Sequence, residues 1–356
     1  MRIVYDVTPL ALPPAGIGNY LRGTLAGLAE AAGGDHEIVA LAVAGPRGRK
    51  GIPAALDGVA VQRSFLFLPG ARAWRRGWSR LARPPLERVL GRFDVLHFSD
   101  WWYPPQRSGV RATTIHDLVP LHFPEWVPAP TRRLHLAKYA NAAATCDLVF
   151  VNSAYTGDDV ATTLGIARDR VRVAHPGVGA SFGPEGTAAD LGRPYLLAVG
   201  TNEPRKNLEA LVAAHQLLGG EHALAVAGGE GWGQRARLDR PGVLRLGYVA
   251  DERLPELYRG AAAFVYPSRF EGFGIPLIEA MACGTPVVAS AHPSLDEASG
   301  EAALRAHPDD PEALAAAIRQ ALERREELVA RGLEHARRFT WRAAGEAFLR
   351  GYKEAA

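Results

Sequence analysis

Along this chain, short unbroken apolar runs alternate with longer segments whose apolar positions recur at helical spacing. Arg2–Val7, His36–Val43, Asp94–Phe98, Arg111–Ile115, Leu148–Val151 and Val171–Ala174 read as strands in the first half. Tyr195–Val199, Ala223–Ala227, Val243–Leu246, Ala262–Tyr266 and Pro286–Ala289 do so in the second. Runs without polar alternation predict strands buried on both faces, hence parallel sheets covered by helices on either side. A Gly/Pro-rich stretch from Ala174 through Gly183 to Pro194 ends the first strand set and reads as a linker. At 356 residues the chain is long enough for two domains with separate cores. The boundaries are placed at 1–182 and 183–340, with a last helix at 341–356 returning to the first domain.

The segment Phe264 to Ser290 carries the most chemistry. It predicts a buried strand, a glycine-bearing loop, a helix entered through Pro276 and stopped by Gly284, and a second buried strand. Glu271 and Glu279 bracket the loop and the helix start with seven residues between them. The backbone of Gly272, Phe273 and Gly274 lies just ahead of the helix N-terminus, where partial positive charge collects. That arrangement suits a ligand carrying anionic groups and hydroxyls together, with Glu271 as hydroxyl acceptor. The string Glu-Gly-Phe-Gly-Ile-Pro-Leu-Ile-Glu, followed by Ala-Met-Ala-Cys-Gly-Thr-Pro-Val-Val, resembles the E-x7-E signature of retaining GT-B glycosyltransferases of family 4, the "glycosyl transferases group 1".

The resemblance implies an α/β fold of GT-B type, two Rossmann-like domains whose parallel sheets face an interdomain cleft. It implies transfer of a hexose from a nucleotide diphosphate donor to an acceptor hydroxyl with retention. In Gly200-Thr201-Asn202-Glu203-Pro204-Arg205-Lys206-Asn207, Arg205 and Lys206 open a predicted helix and are expected to neutralise the departing diphosphate. Thr201 stands where many members carry a basic residue. The Glu-Pro-Arg-Lys-Asn string is similar to that of mannosyltransferase-like members, which points to GDP-mannose. His116, at the end of a strand, resembles the histidine that touches the donor sugar, while Asp117 is read as orienting the loop or capping the next segment. Glu271 is expected to hold sugar hydroxyls and Glu279 the ribose. Gly16 and Gly18 would let backbone approach a phosphate or an acceptor closely. Tyr248 and Val249 belong to the segment beside the base, Ser268 and Arg269 line the loop into the Glu motif, and Ile275 is placed with the donor-binding residues. No nucleophile is named, since the family's front-face mechanism needs none.

Several other readings fall away. Gly16-x-Gly18 after the first strand invites a dinucleotide site, but Leu21 occupies the third glycine position and no acid follows the second strand. Asp158-Asp159 and Asp309-Asp310 read as helix caps or first-turn charge, so no metal is assigned. A net charge of +3 without a basic tract interleaved with aromatics argues against nucleic acid. The cysteines, Cys146 and Cys283, fall in different predicted domains and suggest neither disulfide nor zinc. No leader or spanning segment is evident, so a cytoplasmic setting is expected. The stretch 65–83 mixes arginine with tryptophan and suggests peripheral contact with an anionic membrane at its inner face, an acceptor pocket, or a plain surface helix. No cofactor is expected beyond the nucleotide-sugar co-substrate, and a saccharide or lipid-linked saccharide is the expected acceptor. A UDP- or dTDP-sugar donor, an epimerase or phosphorylase of the same fold, and a non-catalytic nucleotide-sugar-binding protein remain open alternatives.

Overall fold

In the computed structural model, which describes residues 1–12 and 16–356, the apolar runs become strands of two separate parallel sheets. The first holds β1 (Arg2–Asp6), β2 (Glu37–Ala44), β3 (Gln62–Phe67), β4 (Val95–Phe98), β5 (Val110–Ile115), β6 (Leu148–Val151) and β7 (Val171–Val173) in the order 3-2-1-4-5-6-7. The second holds β8 (Tyr195–Val199), β9 (Ala223–Ala227), β10 (Val243–Gly247), β11 (Ala263–Tyr266), β12 (Val287–Ser290) and β13 (Ala303–Ala306) in the order 10-9-8-11-12-13. Every pairing is parallel, as the unalternating runs predicted. Both orders reverse direction beside the first strand of their sheet, the topology that leaves a ligand crevice outside the carboxyl ends of the strands.

Burial follows the two-residue period of a strand. In the second sheet, Leu197, Phe264, Tyr266 and Val287 enter one core cluster, while Leu196, Val265 and Val288 enter another on the opposite face. β3 and β13 were not among the expected strands. Both are edge strands: β3 mixes Gln62, Arg63 and Ser64 with exposed Leu66, and β13 carries Arg305 among alanines. Part of the stretch 65–83 therefore belongs to a strand, and its helix, Ala71–Leu81, turns Trp78 into a core with Val4, Leu41 and Leu96.

The chain divides into two compact units. The first comprises 1–116, 133–177 and 340–356; the second comprises 117–132 and 178–339. The segment 117–132 belongs with the second unit because Phe123 meets the edge of Phe270 at 5.4 Å and His122 lies 5.8 Å from the same ring. In the first unit, helix Trp341–Ala355, capped by Thr340, packs on helix Gly16–Ala32. The two backbones approach so closely that a methyl group at Gly27 would collide with the Trp341 carbonyl, and one at Gly345 with the Gly27 carbonyl. Against the sheet, the same terminal helix places Tyr352 on His97 (Oη to Nδ1, 2.7 Å) and Phe348 on Phe150.

Candidate active site

The second unit gathers its charged groups at the carboxyl ends of β8 and β11. After β8 the chain turns through Gly200 (φ 148°), and Pro204–Lys206 forms a single 3-10 turn. The helix begins only at Leu208, because Asn207 adopts a left-handed conformation (φ 53°). The expectation that Arg205 and Lys206 open the helix is thus corrected: they sit on the turn before it. Asn207 fixes that turn by donating its side-chain amide to the carbonyls of Pro267 (3.1 Å) and Pro308 (2.6 Å). Asn202 ties the same loop to the one after β9 through a reciprocal pair with the Ala236 backbone, both bonds 3.0 Å.

The two cations converge on one buried carboxylate. Lys206 Nζ donates to Glu271 Oε1 at 2.7 Å and to Tyr266 Oη at 2.5 Å. Arg205 Nη1 lies 2.7 Å from Glu271 Oε2, while its Nε lies 2.8 Å from Glu203 Oε1. Two acids and two bases leave the group internally neutral. Burial pushes the Glu271 carboxyl up, but Arg205 and Lys206 outweigh it and bring the group down to about 2. Burial lowers Lys206, with Arg205 adding repulsion, while Glu271 and Glu203 outweigh burial at Arg205 and raise it. Among the residues that sequence reasoning missed, Glu203 and Tyr266 matter most here. Glu203 lies inside the Glu-Pro-Arg-Lys-Asn string, whereas only its distance in space to Lys206 singles out Tyr266.

Glu271 leads into a loop and then helix Ile275–Ala282, with Pro276 in the first turn and Gly284 (φ 73°) past its end. Gly274 has φ 107°, and a side chain there would press on Leu295 and Leu277. Ser294 Oγ donates to the Glu271 carbonyl at 2.6 Å and holds the loop from the far side. Phe273 points into the core against Phe339, so its side chain is structural, and Ser268 is fully buried. One helical turn on, Glu279 accepts from the Tyr258 hydroxyl at 3.1 Å, and burial pushes its carboxyl up to about 7. Two glutamates of one motif therefore differ by several pKa units: one rests between cations, the other faces a phenol. Thr201 and Tyr248 are exposed and Val249 half-buried, all on strand-end loops.

In the first unit, His116 follows β5 and accepts from the Asn152 amide at Nδ1 (3.0 Å), with its ring against the edge of Tyr20. Burial, Lys138 and His135 bring it down to about 3, so it stands neutral with its proton on Nε2. Asp117, in the second unit, accepts from the Val119 amide at 3.1 Å and orients its loop as expected. Gly16 and Gly18 lie in the first turn of their helix, and among the described residues a Cβ at Gly18 would meet Leu10 at 3.8 Å and one at Gly16 no atom within 4 Å. The acidic pairs behave unequally. Asp310 caps helix Pro311–Glu323 through Ala313, but Asp309 pairs with Arg269. Asp158 and Asp159 lie inside a helix that Ser153 caps, because Ser153 already accepts from the Thr156 amide. Among the described residues, no three His, Cys, Asp or Glu side chains group as a metal site, and no helix is long and apolar enough to cross a membrane.

Comparison with known proteins places these loops in context. Residues 193–324 match the family profile "Glycosyl transferases group 1", and 14–182 match "Glycosyltransferase Family 4". O-antigen chain mannosyltransferase B of Escherichia coli is 34% identical, the match covering 73% of this chain and 74% of that protein. A D-inositol 3-phosphate glycosyltransferase of Acidothermus cellulolyticus is 32% identical over 75% of this chain and 68% of its own. Among solved structures, sucrose-phosphate synthase of Thermosynechococcus elongatus superposes with a TM-score of 0.72 over 99% of this chain and 98% of its own, at 21% identity.

Proposed function

Because this chain belongs to glycosyltransferase family 4 and is a glycosyltransferase of GT-B fold, we propose that it moves mannose from GDP-mannose to a hydroxyl of a saccharide or lipid-linked saccharide, with retention and without a metal. The observation that carries this reading is the convergence of Arg205 and Lys206 on Glu271 at the carboxyl edge of the second sheet. A diphosphate entering there takes over hydrogen bonds that the two cations now give to Glu271. The exchange frees Glu271 to accept from sugar hydroxyls, so donor binding and sugar orientation become one event. Fixed cations then stabilise charge as it develops on the leaving oxygen, the work a divalent ion does elsewhere. The C1–O bond to phosphate breaks while the acceptor oxygen bonds C1 on the same face. The acceptor proton passes to the departing phosphate oxygen, and no protein nucleophile is required.

On the first unit, neutral His116 is assigned to the donor sugar and the backbone near Gly16 and Gly18 to the diphosphate. On the second, Glu279 is assigned to the ribose, with Thr201, Tyr248, Val249, Ser268, Gly272–Gly274 and Ile275 around the nucleotide. The 34% identity to an O-antigen mannosyltransferase supports mannose as the sugar. Exposed Trp74 and Leu81, among exposed Arg72, Arg76, Arg80 and Arg83, support a peripheral contact of this surface with anionic lipid.

Thermal unfolding with GDP, UDP, ADP and dTDP, each with and without EDTA, tests the donor assignment. A ligand at about 100 times its Kd adds about 2.7 kcal/mol, so the preferred base stands out. GDP selectivity insensitive to EDTA is expected; UDP or dTDP selectivity overturns GDP-mannose.

The raised Glu279 carboxyl also gives a pH signature. An acid whose folded pKa is raised binds its proton more readily when folded, so stability it contributes is full below its unfolded value and lost as pH rises through about 7. Ribose hydroxyls need the carboxylate as acceptor, so donor affinity runs the other way. KM for GDP-mannose is expected to fall about tenfold between about pH 6 and pH 8, because ionisation near 7 rises by that factor. The sugar diphosphate itself has no proton to lose in that range. Kinetics of E279Q check the assignment: its donor KM should be flat with pH, and a slope surviving in E279Q contradicts the ribose role.

A further inference from the structure

The proposed reaction leaves the acceptor without a seat, and the first unit offers one at the carboxyl end of β4. The loop there is fixed before any ligand arrives. Asp6 accepts from the amides of Ser99 (3.2 Å) and Asp100 (3.0 Å), Lys138 donates to the Ser99 carbonyl (3.1 Å), and Asp100 pairs with Arg75. Tyr103 closes the far side by donating to the Lys138 carbonyl at 2.7 Å. What this scaffold presents is Trp101 and Trp102, half-buried and edge to face at 6.3 Å. His135 lies 5.9 Å from Trp101, ring edge toward face, and the Arg75 guanidinium sits over Trp102 at 5.5 Å.

Both rings are only half-buried, whereas Trp78 and Phe93 are the buried aromatics of the adjoining cluster. The patch also carries little net charge: Asp100 and Arg75 cancel, and burial with Lys138 brings His135 down to about 4, leaving it neutral. Its position, beyond the strand ends of an open parallel sheet, is where such folds bind ligands. Beyond burial, Lys138 and His135 both help push the His116 imidazole down, so the patch lies within electrostatic reach of the residue assigned to the donor sugar. Aromatic faces carry negative quadrupole charge that attracts the C–H face of a pyranose, and the neutral His135 imidazole, whose Nδ1 meets the Tyr139 hydroxyl at 3.5 Å, keeps Nε2 to bond a sugar hydroxyl. Arg75 is paired with Asp100, and Lys138 faces Asp100 and Asp6, so the charges named here are matched and favour a neutral ligand over an anion.

We infer that Trp101, Trp102 and His135 form the acceptor subsite, which takes a neutral hexose of a saccharide stacked on Trp101 with a hydroxyl on His135. The inference rests on the glycosyl-transfer reading and names the acceptor side of that same reaction. The test uses the full chain, saturated with whichever nucleoside diphosphate stabilises it most, and an NMR titration with α-mannobiose as probe. W101A is expected to raise the half-saturation concentration about tenfold or more, and W101F to stay within about threefold of wild type. An unchanged half-point in W101A, or no mannobiose binding by the wild-type chain, overturns the subsite. Nucleotide stabilisation, read on the same samples, should be equal in wild type and W101A. If it is present in both while the sugar half-point is unmoved, only the subsite fails; if it is absent from wild type, the underlying donor reading fails instead.

Discussion

Lys206→Ala is expected to lower kcat for sugar transfer by about 10²-fold or more, with a smaller rise in donor KM. The reasoning starts from the turn rather than the helix. Lys206 extends from a 3-10 turn that Asn207 fastens to two carbonyls, so its ammonium is placed without depending on any ligand. Removing it deletes one of two fixed positive charges on the leaving group, and the lost interaction is strongest when that charge has fully developed. Because the Asn207 bonds remain, the variant should fold, and circular dichroism should match wild type. Lys206→Arg is not conservative here: a planar fork cannot reproduce a compact ammonium bonded at once to Glu271 and Tyr266. Steady-state kinetics decide the point. Wild-type turnover in Lys206→Ala would remove this residue from the mechanism.

Glu271→Gln should cost a similar factor, about 10²-fold or more in kcat, but with a different companion effect. In the free enzyme Glu271 competes with the diphosphate for both cations. Neutralising it leaves Arg205, Lys206 and Glu203 with an excess positive charge, so donor KM is expected to hold or fall while kcat collapses. Breaking one partner of a buried ion group also destabilises the empty protein, by about 3–5 kcal/mol where no other partner remains and by less here because Glu203 still holds Arg205. Bound nucleotide should recover part of that loss. Unfolding midpoints with and without GDP, measured beside the kinetics, separate the two effects. A variant that lost donor affinity and kept kcat would show that Glu271 serves binding alone.

The contrast between Glu271 and Glu279 shows where sequence reading stopped. Their spacing identified the motif, and the strand, loop and helix around them formed as the residues implied. Their opposite electrostatics were not legible, because the partners come from elsewhere: Lys206 lies 65 positions before Glu271, and Tyr258 reaches Glu279 from a different helix. The parallel strands were readable for the reason that β3 and β13 were not. A strand covered on both faces leaves an unbroken apolar run, whereas β3 opens on Gln62, Arg63 and Ser64 and β13 sets Arg305 among alanines. Helix onset after β8 was misplaced because propensity does not reveal that Asn207 would spend its amide on Pro267 and Pro308 and take a left-handed backbone. The aromatic patch was invisible for a similar cause. Trp101 and Trp102 stand together in the sequence, but His135 reaches them only through the fold.

The central claim is metal-free mannosyl transfer with retention, and the product's anomeric configuration tests it most directly. The chain, incubated in EDTA with GDP-mannose and α-mannobiose, should release GDP and form an α-linked mannoside from the α-linked donor, visible in the anomeric region of a proton NMR spectrum. A β-linked product, or transfer that appears only when a divalent ion is restored, would contradict the account.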